Sequence, residues 1–355
     1  MVTTTRLQQH VYESGTAGHP PLILIHGNAS SARFFEQLLP RLAGYHVLAP
    51  DLRGYGATEA QVVDATRGVR DFSDDIEALA VALRLERFHL LGWSLGGCVA
   101  MQYTIDHPQR VLSLTLEATG SPFGYGCTRN AAGALNWDDV AGSGAGLINP
   151  EIIARYQAGD TTTDSPFSPR SVMRQLYVKP PFAFEPTWED ALVEQMLLMR
   201  IGDQFYPGDS VTSPNWPFTG PGIYGANNAL SPKYCHLTGL ADITPRPPML
   251  WVHGADDQVV GDMALVDPGA LGKMGAIPGW PGDEVYPPQP MLAQIRALLD
   301  RYRANGGTYE EVVLPNCAHA PHIEHPTEFV ARFTALMQRA TPKRRGFLGL
   351  FRRSR

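Results

Sequence analysis

The chain has 355 residues, 44% hydrophobic and 18% charged, enough apolar material for a large core without disulfide or metal staples. Its 35 acidic side chains outnumber 29 basic ones, and six of the basic ones crowd into residues 343–355, so the acidic body disfavours nucleic acid as a partner. The four cysteines, Cys98, Cys127, Cys235 and Cys317, are scattered and form no C-x-x-C pair, which argues against a disulfide framework and against zinc.

No signal-like apolar stretch opens the chain and no run of 18 apolar residues occurs in it, so a soluble cytoplasmic protein is expected. After a hairpin start near residues 7–12, residues 21–27 read as a buried strand because their apolar run is continuous. Phe34, Phe35, Leu38, Leu39 and Leu42 predict a helix over 31–42. A strand at 45–50 follows, then a helix over 72–85 with Ser73 as N-cap and Ile76, Leu79 and Leu83 on one face. A strand at 88–92, a helix at 95–106 and a strand at 110–116 continue a β-α-β rhythm, so the expected core is a mostly parallel sheet with helices on both faces.

Between 122 and 243 the rhythm breaks: no clear strand appears, while 15 of the 33 aromatic residues fall there. Helical patterns starting at Asn149-Pro150-Glu151, at 169–178 and at 187–201 suggest a helical insertion, or cap. The sheet resumes at 248–252 and 309–314, with helices at 290–305 and 326–339. The stretch 260–288 carries no secondary-structure signal and is long for a loop, which suggests an excursion over a site. Residues 343–355 alternate basic clusters with Phe347, Leu348, Leu350 and Phe351; beside a solvated tail, weak contact with an anionic membrane surface is the alternative.

The most specific motif is Gly92-Trp93-Ser94-Leu95-Gly96-Gly97, between a predicted strand and a predicted helix. A serine there takes a strained conformation that projects its Oγ, and the flanking glycines let neighbouring elements approach. With this motif the chain resembles the α/β-hydrolase family over residues 6–340. The resemblance implies a mostly parallel, eight-stranded sheet flanked by helices, with core residues 1–121 and 244–340, a helical cap at 122–243 and a basic tail at 341–355.

Carried over residue by residue, it implies Ser94 as nucleophile, Asp257 as orienting acid and His319 as base, in the family's chain order. His253-Gly254-Ala255-Asp256-Asp257 follows a strand as the family's acid segment does, and Asn316-Cys317-Ala318-His319 lies between the last strand and a helix. Glu117, after the strand at 110–116, is the alternative acid, and His322 and His325 are read as surface or capping groups. His26-Gly27-Asn28 resembles the oxyanion loop, with the backbone N–H groups of Asn28 and Leu95 as donors and His26 as a brace, while Asp51 and Arg53 are structural.

Trp93, Trp188 and Met196 are expected against the substrate, and neither metal nor cofactor is implied. The resemblance leads to cleavage of an uncharged hydrophobic ester or lactone through an acyl-enzyme. Carbon–carbon or amide hydrolysis, lyase or perhydrolase chemistry and a non-catalytic ligand-binding role remain alternatives. Aspartate-nucleophile branches such as haloalkane dehalogenases are excluded by the serine.

Overall fold

A computed structural model of the chain describes residues 1–341. Its main sheet comprises β1 (Val11–Ser14), β2 (Pro21–Ile25), β3 (His46–Pro50), β4 (Phe88–Trp93), β5 (Val111–Glu117), β6 (Met249–Gly254) and β7 (Tyr309–Leu314), in the order β7-β6-β5-β4-β2-β3-β1. Only β1 runs antiparallel, against β3. Strands β3, β4, β5 and β6 are buried along their whole length, as strands covered on both faces must be.

Seven strands, not eight, join this sheet among the described residues. Within the hairpin expected near residues 7–12, Gln8–Gln9 pairs instead with Val2–Thr3 in a separate ribbon. Its backbone is committed elsewhere: Gln8 O accepts from Glu59 N, and His10 N donates to Thr58 Oγ1 at 2.9 Å.

The major helices are α1 (Arg70–Ala82), α2 (Leu95–Asp106), α3 (Pro150–Gln157), α4 (Pro186–Leu197), α5 (Met291–Ala304) and α6 (Pro326–Ala340). On α6, Phe329, Phe333, Leu336 and Met337 form the buried stripe that its spacing predicts. Helix α1 begins before Ser73, whose hydroxyl ends up inside the helix, buried and without a partner instead of capping it. The expected helix at 31–42 is two short 3₁₀ turns, Ala32–Phe35 and Leu39–Leu42, because Pro40 removes the amide that would join them.

Residues 122–243 hold α3, a four-residue helix Pro169–Val172 running into a π-helical turn Met173–Tyr177, and α4. They also hold two short antiparallel ribbons, Thr128–Arg129 with Ala134–Leu135 and Ser210–Thr212 with Thr219–Pro221, too brief to leave an alternating pattern in the sequence. Within 260–288 a helix, Pro268–Lys273, is capped by Asp267. Tyr286, with Ile277 and Trp280, packs there on Cys127, Val140, Trp137 and Trp216 as a second small core.

Asp267 is buried at 1% exposure, with Oδ2 accepting from the amides of Ala270 and Gln289 and Oδ1 without a partner. Burial pushes its carboxyl up to about 6 despite those hydrogen bonds. As pH rises through about 4 to 6, the unfolded chain releases this proton before the folded one does, so this group's contribution to stability falls across that window, by on the order of 3 kcal/mol. Asp267→Asn removes the ionisation, so the variant is expected to gain stability over the parent at pH 7.5 and to gain little at pH 4.5. Urea midpoints at the two pH values check this; equal gains at both would contradict it.

The basic tail lies outside the described residues. Among the described residues, no helix is long and apolar enough to cross a membrane.

Candidate active site

Strand order reverses at β2, whose neighbours are β3 on one side and β4 on the other. Crevices beyond the C-terminal ends of strands at such a switch are where open α/β sheets bind ligands. Parallel register sets Ile25 beside Gly92, Gly92 beside Leu116 and Trp93 beside Glu117, so the segments that follow β2, β4 and β5 emerge along one edge.

Ser94 is the single residue between β4 and α2, at φ 57° and ψ −118°. A non-glycine residue held there stores about 1–3 kcal/mol of strain, sustained only by surroundings that over-determine it. The glycines make the turn feasible: a Cβ on Gly92 would lie 2.1 Å from Gly96 O, and one on Gly96 would lie 2.2 Å from Ile25 O. Ser94 occupies the N-cap position of α2, yet its side chain caps nothing, so the half-buried hydroxyl is not spent on the helix.

His319 Nδ1 meets Asp257 Oδ2 at 2.8 Å, with both side chains almost wholly buried. The other oxygen, Asp257 Oδ1, accepts from the amides of Val259 and Val260 at 2.8 and 3.0 Å, which fixes the carboxylate plane. Trp93 Nε1 donates to His319 O at 2.7 Å, tying the histidine loop to the residue that precedes Ser94. The sheet thus brings Ser94, Asp257 and His319 to one edge from three separate strand ends.

Glu117 faces a different histidine. Its Oε1 accepts from His322 N at 2.8 Å and lies 2.8 Å from His322 Nδ1. His322 is therefore no surface group: it is 4% exposed, with its ring edge-on to Trp93 at 5.2 Å. The residues between it and the last strand fold back under Trp93, which spacing along the chain does not reveal. His325 is half-buried, with Nε2 3.1 Å from Asn316 O.

His26 is fully buried, its Nδ1 2.8 Å from Gly27 O and its Nε2 accepting from Leu52 N at 3.0 Å. Burial lowers its pKa, and these partners specify the neutral Nδ1–H tautomer, so it braces the loop. Gly27 allows the loop to close on the serine, since a Cβ there would lie 3.0 Å from Ser94 Cβ. Among the described residues, neither Asn28 N–H nor Leu95 N–H donates to a protein acceptor. Asp51 accepts from the amides of Ala32 and Ala57, and Arg53 grips Asp75 with two hydrogen bonds of 2.6 and 2.7 Å, both consistent with structural roles.

Three residues around Asn28 escaped the sequence reading. Tyr177 hydroxyl donates to Asn28 O and Ala29 O at 2.9 and 3.1 Å, Tyr55 hydroxyl donates to Asn28 Oδ1 at 2.5 Å, and Asn28 Nδ2 donates to Asn227 Oδ1 at 2.7 Å. Tyr177 and Asn227 lie 149 and 199 residues from Asn28, so no local signal could have paired them.

Trp93 is 1% exposed, wedged among Phe34, Tyr177, His319 and His322. Trp188 is 9% exposed against Phe184, and Met196 is fully buried. No group of three or more His, Cys, Asp or Glu side chains that could hold a metal occurs among the described residues.

A family model for the alpha/beta hydrolase fold matches residues 20–326, and the chain belongs to that family. A stretch of 101 residues is 37% identical to a fluoroacetate dehalogenase of Burkholderia sp, covering 27% of this chain and 33% of that protein. Over 109 residues it is 37% identical to a putative carbamate hydrolase, RutD, of Variovorax paradoxus, covering 30% of this chain and 41% of the relative. Over 116 residues it is 30% identical to the 2-hydroxy-6-oxo-6-phenylhexa-2,4-dienoate hydrolase of Comamonas testosteroni, covering 31% and 40%. The matches thus span well under two thirds of the curated relatives.

Among solved structures, the enol-lactonase of Burkholderia xenovorans LB400 superposes with a TM-score of 0.58 at 15% identity, over 94% of this chain and 98% of that one. The carboxylesterase CesB of Bacillus subtilis gives 0.58 at 15% identity, over 95% and 90%. At these identities the likeness is one of fold.

Proposed function

We propose that the chain is a serine hydrolase that cleaves an uncharged, hydrophobic carboxylic ester or lactone through an acyl-enzyme. The observation that carries this reading is the buried His319–Asp257 pair at 2.8 Å on the same sheet edge as a strained Ser94. With the Nδ1 proton held toward Asp257, His319 Nε2 is the free base. It takes the proton from Ser94 Oγ as that oxygen attacks the carbonyl carbon, then returns it to the departing alkoxide. Water, deprotonated by the same nitrogen, releases the acid and regenerates the serine. The amides of Asn28 and Leu95 stabilise the tetrahedral oxyanion, where one such donor is worth about 3 kcal/mol of barrier.

Residues 122–243 act as the cap over this site; Trp188 contributes to its apolar wall, while Trp93 and Met196, which present almost no open surface, support that wall from behind instead of touching substrate as expected. An uncharged substrate fits the electrostatics of the cap, in which Arg155, Arg170 and Arg174 are paired with carboxylates and Lys179 is paired with Asp256. The serine at position 94 weighs against carrying dehalogenation over from the Burkholderia relative.

Carbon–carbon hydrolysis is the second reading, favoured by the likeness to the Comamonas hydrolase and open to the same three residues. Hydrolysis profiled across p-nitrophenyl esters of increasing chain length, lactones and aromatic diketones, with product masses recorded, separates the two. Turnover is expected on uncharged esters or lactones. Preferential cleavage of the diketones would replace the main reading, and tight stoichiometric binding without turnover would point to a ligand-binding protein.

A further inference from the structure

The π-helical turn Met173–Tyr177 and the two residues after it touch both halves of the machinery. Tyr177 hydroxyl donates to the carbonyls of Asn28 and Ala29. Two residues on, Lys179 N donates to Glu324 Oε1 at 2.9 Å, and Glu324 Oε2 accepts at 2.6 Å from Ala318 N, directly before His319. The Tyr177 ring lies edge-on to Trp93 at 5.5 Å and 6.0 Å from the His319 ring.

The side chain of Asn28 is held from both of its ends, by Tyr55 at Oδ1 and by Asn227 at Nδ2. Tyr177, Tyr55 and Asn227 are all buried. The loop so held contains Ala29 at φ 46°, a left-handed conformation that a residue with a Cβ keeps only when its surroundings impose it. An oxyanion donor is effective to the extent that it is fixed before charge develops on the substrate, because reorientation during the reaction consumes the stabilisation.

We propose that Tyr177, Asn227 and Tyr55 are positioning residues for the oxyanion loop, so that the 122–243 segment completes the catalytic apparatus instead of only covering it. The inference rests on the serine-hydrolase reading above. It separates these three from Trp188 and Met196, which make no hydrogen bond to the loop among the described residues.

The test uses Tyr177→Phe, Tyr55→Phe and Asn227→Ala in the full chain, assayed with p-nitrophenyl butyrate and a p-nitrophenyl phosphonate, with Tm measured alongside. Tyr177→Phe is expected to lower kcat about tenfold to a hundredfold and to slow phosphonylation in parallel, while KM stays within about twofold. In an Asn28→Ala background, Tyr55→Phe and Asn227→Ala should have no further effect, since their partner is gone, whereas Tyr177→Phe should still act through the backbone carbonyls. A rise in KM at constant kcat, or a lowered Tm at constant kcat, would overturn the proposal, as would full additivity of Asn227→Ala with Asn28→Ala. A parent protein that forms no Ser94 adduct would sink the underlying reading; variants that label at the parent rate would sink only this inference.

Discussion

Ser94→Ala is expected to lower kcat by roughly 10⁴- to 10⁶-fold, about 5–8 kcal/mol of barrier, and to abolish the adduct that an active-site phosphonate forms with the parent. The size follows from the arrangement of the site. With the Oγ removed, nothing at the strained turn between β4 and α2 can form the covalent intermediate, and His319 has no hydroxyl to deprotonate. Residual turnover would come from the oxyanion amides and from substrate positioning, which the variant keeps. The change removes one oxygen from a half-buried residue that caps no helix, so the fold should tolerate it. The adduct mass is the sharper reading because it does not depend on choosing the right substrate. Undiminished labelling of Ser94→Ala would move the nucleophile elsewhere.

Asp257→Asn is expected to lower kcat about 10⁴-fold with little loss of fold, and Glu117→Gln to leave it within about tenfold. The two amides of Val259 and Val260 already claim Asp257 Oδ1. An asparagine would keep its carbonyl oxygen there and turn Nδ2, a donor, toward His319 Nδ1. The imidazole would then carry its proton on Nε2, the nitrogen that must accept one from Ser94. Glu117, in contrast, accepts from His322 N and faces His322 Nδ1, and makes no hydrogen bond to His319 among the described residues. Glutamine there retains an acceptor for His322 N, so its principal cost should fall on stability. Comparing kcat and urea midpoints for both variants checks the ranking. A larger kcat loss in Glu117→Gln than in Asp257→Asn would transfer the orienting role to the end of β5.

Strands with continuous apolar runs, helix α2 and the stripe of α6 were legible because each depends on neighbours within a few residues. The glycines around Ser94 announced themselves for the same reason: the turn's steric demand falls on the residues next to it. The stripe of phenylalanines and leucines at 31–42 has helical period, but Pro40 lies within it and its missing amide, a signal as local as the stripe, divides the segment into two turns. The start of α1 was misplaced because Ser73 is as compatible with a buried interior position as with a cap.

What only tertiary structure decided is which acid meets which histidine, and what holds the loop at Asn28. Asp257 and Glu117 both leave strand ends on one edge of the sheet, and the choice between them turned on how residues 315–322 fold back under Trp93. That path is set by long-range contacts such as Trp93 Nε1 to His319 O, across 226 residues. Tyr177 and Asn227 likewise reach Asn28 from a segment whose aromatic richness marks it as packed but says nothing of where each polar group points. Backbone conformation and burial follow from local composition and period, whereas a hydrogen bond between distant loops depends on the relative placement of whole elements, which is fixed only when the core closes.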